Sequence, residues 1–130
     1  MPGQAQVAMV LILEDEALIA LDVEAALQEA GFATVVTGSR ADANEFLVAH
    51  RPDAAVLDIR LSDGDCVMVA ERLLELGVPF VVHSGAARHD QHPIFSFGKP
   101  VGKPADPREI VGIVRSLLPK PLNDPPADGT

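Results

Sequence analysis

Tryptophan and tyrosine are absent from this chain, phenylalanine occurs only five times, and a single cysteine stands among 130 residues. One thiol can form neither an internal disulfide nor a multi-thiolate metal site, and the apolar-periodic segment around Cys66 predicts a buried small hydrophobe. Basic residues are also few: 10 Lys and Arg against 19 Asp and Glu give a net charge of -9. That charge repels phosphate backbones, which argues against direct nucleic-acid binding and leaves proteins as the expected partners. No apolar run approaches the roughly 20 residues of a membrane span, and the opening Met-Pro-Gly-Gln-Ala-Gln has neither the charged start nor the apolar stretch of a secretion signal. A cytoplasmic protein without a membrane segment is expected.

What is present suffices for one continuous core, since 48% of the residues are hydrophobic, and one domain over residues 7–118 is expected. Residues 1–6 and the Pro- and Asp-rich 119–130 read as disordered termini. Residues 7–13 form an aliphatic run with no polar break, the pattern of a strand buried on both faces. A helix over 17–30 follows, with Leu18, Leu21, Ala25 and Ala26 at helical spacing and Gly31 as its stop. Residues 33–37 predict a second strand, and Ser39 an N-cap for a helix running to about His50. A third strand over 54–58 leads through the turn Ser62-Asp63-Gly64 to a helix near 65–76, closed by Gly77.

The remainder is less regular. A fourth strand is predicted over 78–83, a short or irregular helix in the His- and Pro-containing stretch after Gly85, a weak fifth strand within 97–101, and a last helix over 107–118 carrying Ile110, Val111, Val114, Leu117 and Leu118. Strands alternating with helices at this density imply a doubly wound α/β fold, a parallel sheet covered on both faces. Ligands in such folds sit beyond the carboxyl ends of the strands, where the strand order reverses.

Polar residues stand where the apolar runs stop. Glu14 and Asp15 follow the first strand, Asp58 ends the third, Ser84 ends the fourth and Lys103 follows the fifth. Three carboxylates brought together repel one another unless a cation shares them, and hard oxygen ligands suit magnesium. A carboxylate beside such an ion can act as nucleophile toward a phosphoryl group, and Asp58 is the natural choice. The Ser84 hydroxyl could then hold one phosphoryl oxygen and the Lys103 ammonium another, while Gly85 leaves space.

In sequence, Leu-Ile-Leu-Glu14-Asp15-Glu16, Ala-Val-Leu-Asp58-Ile-Arg-Leu, Val-Val-His-Ser84-Gly85 and Val-Gly-Lys103-Pro104 resemble the receiver domains of two-component response regulators over residues 7–118. Each motif is weak alone; their order at successive strand ends is specific. The resemblance implies a five-stranded, flavodoxin-like sandwich in which Asp58 is the phosphoacceptor. It also implies magnesium held by Asp15, Asp58 and the backbone carbonyl of Arg60 with support from Glu14, and Ser84 and Lys103 as the switch pair. A histidine kinase or histidine phosphotransfer protein would donate the phosphoryl group. Signalling to a downstream protein would run through the surface of the fourth helix, fifth strand and last helix, unless the domain serves as a phosphate shuttle or sink. Catalysis beyond slow autophosphorylation and self-dephosphorylation is not expected, and no output domain is expected in this chain.

Three departures qualify the resemblance. Pro100 occupies the place, three residues before Lys103, where receivers usually carry an aromatic switch residue; Phe95 or Phe97 could substitute or could be core anchors. Lys99 competes with Lys103, but only Lys103 runs directly into the signals for the last helix. The fourth helix is short. Among blander readings, Glu16 serves the helix N-terminus, Asp63 and Asp65 serve turn and cap roles, and His83, His89 and His92 are solvated or capping histidines without a metal. A docking module that is never phosphorylated remains the alternative. A dehalogenase-type phosphatase lacks its second acid, since Arg60 stands there, and acids replace the glycines that a dinucleotide site needs after the first strand.

Overall fold

The structure, a computed structural model, describes residues 7–85 and 92–119. Strand β1 (Met9–Leu13) leads to helix α1 (Ala17–Glu29), strand β2 (Ala33–Thr37) to helix α2 (Arg40–Ala49), and strand β3 (Ala54–Leu57) to a miniature hairpin of β4 (Arg60–Leu61) and β5 (Gly64–Asp65). Helix α3 (Val67–Leu76), strand β6 (Phe80–Ser84), a 3-10 turn (Pro93–Phe97), strand β7 (Lys99–Gly102) and helix α4 (Pro107–Leu117) complete the chain. The main sheet is parallel throughout, in the order β2-β1-β3-β6-β7. It is the expected doubly wound, flavodoxin-like sandwich.

Alternation along the strands divides the core in two. Leu11, Leu13, Ala55, Leu57, Phe80 and Val82 face α2 and α3, where they meet Leu47, Val69 and Leu73. Val10, Ile12, Ala54, Val56, Val81 and Val101 face α1 and α4, where they meet Val23, Leu27, Ile110 and Val114. Because both faces are covered, β1 and β3 carry no polar residue along their length, and that is why the first charged side chain after each marks the sheet margin.

Local signals set the boundaries. Ser39 Oγ accepts from the Asp42 N–H at 3.1 Å and caps α2, and Asp106 does the same for α4 through the Arg108 N–H at 2.9 Å. Gly77 ends α3 in the left-handed region at φ 72°, which only glycine adopts readily. Gly98 lets the last strand approach the sheet: a Cβ there would lie 2.5 Å from Phe80 Cε2.

Several expectations are corrected. Helix α1 turns Ala20, Val23 and Leu27 inward, whereas Leu18 and Leu21 are 79% and 58% exposed. The apolar positions outnumber those the sheet can cover, so two overlapping periodicities compete and shape decides between them. Strand β7 starts at Lys99, inside the expected 97–101, and runs one residue past it to Gly102, while residues 93–97 wind into the 3-10 turn with Pro93 at its start. The turn after Asp58 is itself a two-residue ladder, which delays α3 to Val67. The sequence readings for residues 1–6, for His89 and for 120–130 lie outside the described residues.

Candidate functional site

The register of the sheet brings the polar strand ends together. Leu13 pairs with Leu57, so the residues that follow, Glu14 and Asp58, emerge side by side, and the Asp58 N–H donates to the Leu13 carbonyl at 2.9 Å. On the other flank Ser84 pairs with Gly102, and the Lys103 N–H donates to the Ser84 carbonyl at 3.2 Å. Strand order reverses at β1, so the acids collect at the switch point.

Lys103 Nζ donates to Glu14 Oε1 at 2.8 Å and to Asp58 Oδ2 at 3.1 Å. Glu14, Asp58 and Ser84 are all buried. Asp15 is partly exposed and accepts from the Ser62 N–H at 2.7 Å. The second oxygen of Glu14 accepts from the Glu16 N–H at 3.1 Å, and Asp58 Oδ1 accepts from the Arg60 N–H at 3.3 Å. Arg60 opens β4 at the surface. Ligand oxygens of Glu14, Asp15 and Asp58 all lie within 4.8 Å of one another.

Burial pushes the Asp58 carboxyl up to about 6; Lys103 opposes that rise and the neighbouring Glu14 adds to it. Burial alone would lower the Lys103 ammonium, but its hydrogen bonds to Glu14 and Asp58 hold it above its usual value. One ammonium therefore serves two buried carboxylates, with a third acid at the rim. A further cation fits this donor set, which consists of hard oxygens in excess of positive charge.

Lys99 is exposed in β7 and Lys103 carries the site contacts. Of the aromatics that could replace the missing one at Pro100, Phe95 is a core anchor against α3 and Phe97 is exposed. Gly85 is not demanded by packing, because a Cβ there would meet Lys103 Cβ at an ordinary 3.9 Å. Cys66 is fully buried, its Sγ donates to the Asp58 carbonyl at 3.2 Å, and burial pushes the thiol up to about 12. The residue expected to be an inert hydrophobe thus also buttresses the Asp58 backbone.

Asp63 and Asp65 act as caps, though Asp63 caps a different helix from the one that follows it. Its two oxygens accept from the Arg40 and Ala41 N–H groups at the start of α2, while Asp65 Oδ1 accepts from the Val67 N–H at the start of α3. His92 caps the 3-10 turn through the Ile94 N–H. His83 contradicts the expectation of a solvated or capping histidine: it is 4% exposed, and its Nε2 has no hydrogen-bond partner among the described residues. Burial holds its imidazole below the usual range, and the Lys103 charge pushes it the same way. Sequence reading missed the backbone N–H of Ser62 and the Arg40 side chain, which reaches the Asp65 carbonyl at 3.3 Å. No side-chain pattern announces a backbone donor.

No protein-family model matches the chain. It is 32% identical over 83 residues to the transcriptional regulatory protein PdtaR of Mycobacterium tuberculosis, a stretch covering 62% of this chain and 40% of that protein, so the chain spans less than half the length of its curated relative. Among solved structures, a response regulator receiver protein from Sinorhizobium medicae WSM419 superposes with a TM-score of 0.77 at 29% identity, over 86% of this chain and 94% of that one. A receiver domain protein described as CheY-like from Methanospirillum hungatei JF-1 superposes with a TM-score of 0.78 at 18% identity, over 85% and 93% of the two chains; at that identity it speaks for the fold. The sheet order and these similarities give the described residues the fold of receiver domains of the two-component response-regulator kind, with the acids at its switch point.

Proposed function

We propose that Asp58 accepts one phosphoryl group from a phosphohistidine, carried by a histidine kinase or a histidine phosphotransfer protein. An Asp58 carboxylate oxygen attacks phosphorus, an O–P bond forms as the N–P bond breaks, and the electron pair of the broken bond stays on the departing imidazole nitrogen. The observation that carries this reading is the buried Asp58 carboxylate held by Lys103 Nζ at 3.1 Å beside the carboxylates of Glu14 and Asp15. Lys103 neutralises charge on the incoming phosphoryl oxygens, and the Ser84 hydroxyl, one strand away, is placed to hold another of them.

Glu14, Asp15 and Asp58, with the Arg60 carbonyl, are the groups that would hold magnesium, which supplies the positive charge that two strand ends of acids otherwise lack. Output to a protein partner through β7, α4 and the 3-10 turn, or service as a phosphate shuttle or sink in the cytoplasm, fits a net charge of -9 that disfavours nucleic acid. No helix among the described residues is long and apolar enough to cross a membrane. Turnover is limited to slow self-phosphorylation and self-dephosphorylation.

The test is incubation with a small phosphodonor and magnesium. One phosphoryl group per chain is expected, with none in Asp58→Asn. Undiminished labelling of that variant moves the acceptor elsewhere, and an unlabelled wild-type protein that also fails to bind magnesium identifies a docking module that is not phosphorylated.

A further inference from the structure

His83 sits on β6 next to Ser84, yet the phosphoryl chemistry above makes no use of it. Its neighbours Val81 and Val101 belong to the apolar layer between the sheet and helices α1 and α4, so a polar ring is out of place there. A buried nitrogen without a partner costs roughly 1 to 3 kcal/mol. His83 borders a cavity of about 440 Å³ between α1 and the start of α4, a volume within the range of small-ligand sites. Ile19, Val23 and Pro104 give the cavity apolar walls, and the exposed carboxylates of Glu16 and Asp22 stand at its mouth. Lys103 also lines it, but the ammonium of that residue is engaged by Glu14 and Asp58 on the side of the acid cluster.

We propose that this cavity is a binding site for a compact organic cation, a guanidinium or amidinium on a short apolar stem, whose N–H donates to His83 Nε2 while its charge faces Glu16 and Asp22. The chemistry follows from the lining. A neutral imidazole can accept from the ligand, apolar walls take the stem, and the charges that stand at the mouth among the described residues, Glu16 and Asp22, are negative, so a carboxylate ligand is repelled. His83 lines the cavity while its Nε2 is covered by protein atoms, so contact with the ligand requires the lining side chains around it to shift. The site shares Lys103 with the acid cluster, and occupancy is therefore felt there, but binding itself does not depend on Asp58 being a phosphoacceptor.

Benzamidine is the probe, with benzamide and benzoate as its neutral and anionic counterparts, followed through the backbone amide resonances of wild-type and Asp58→Asn proteins. Benzamidine is expected to shift the resonances of Ile19, Val23, His83 and Ala105 saturably in both proteins, with benzamide binding several-fold more weakly and benzoate not at all. His83→Leu should weaken benzamidine about tenfold, the equivalent of one buried hydrogen bond, and Asp22→Asn, an exposed change that leaves the fold intact, about threefold. Equal shifts by benzoate, affinity unchanged in Asp22→Asn or His83→Leu, or shifts confined to the residues around Asp15 and Asp58 would each overturn the proposal.

Discussion

Two aspartates bracket β3, one at each end, and both reach toward β1. Asp53, at the amino end, is exposed and accepts from the Met9 N–H at 2.7 Å. Asp58, at the carboxyl end, is buried, shares one ammonium with Glu14, and has its carboxyl pushed up to about 6. The same side chain on the same strand therefore ties two strands together at one end and is held against its own ionisation at the other. A fold does not need the second arrangement for stability, and strained carboxylates of this kind gather where chemistry is done.

Substituting each aspartate in turn sharpens the contrast. At pH 7.5 without divalent ions, Asp58→Asn should raise the free energy of unfolding by about 1 to 3 kcal/mol, because the substitution removes a buried charge that Glu14 opposes. The sign follows from proton counting. Between the unfolded value of 3.8 and the folded value of about 6 the native state binds the extra proton, so wild-type stability falls as pH rises through that window. The advantage of the variant should be complete above about pH 6 and gone below about pH 4. Urea unfolding across this range checks it, and a pH-independent difference would sink the assignment of the strain to Asp58.

A smaller effect is expected from magnesium. At tenfold its dissociation constant the ion should stabilise the wild-type protein by about 1.4 kcal/mol, with little gain in Asp58→Asn and an undiminished gain in Asp53→Ala; thermal unfolding with and without the ion reads this directly. Smallest of all, Asp53→Ala should lower stability by no more than about 1 kcal/mol, the worth of one exposed hydrogen bond. A larger loss would mean that the amino end carries more of the fold than its single contact indicates.

How much of this was legible beforehand depended on whether a signal was local. The strand-end residues Glu14 and Asp58 could be read because a strand covered on both faces tolerates no charge until it leaves the sheet. Helix α4 was legible for the same reason, since Ile110, Val111 and Val114 form one stripe and all three are buried. Helix α1 was misread because Leu18 and Leu21 belong to a second apolar stripe that the sheet does not cover, and no periodicity says which of two stripes a layer can hold. The Asp63 bridge to α2, the Cys66 contact beneath Asp58 and the burial of His83 all depend on contacts between distant segments, for which single residues carry no mark.

The central claim is that Asp58, and no other side chain, receives the phosphoryl group. Its most direct test is to treat the labelled protein with borohydride, which reduces an acyl phosphate to an alcohol, and to locate the modified residue by tandem mass spectrometry of its peptides. The account predicts homoserine at position 58 alone. A protein that labels but keeps an intact aspartate at 58, with the modification on another residue, would contradict it.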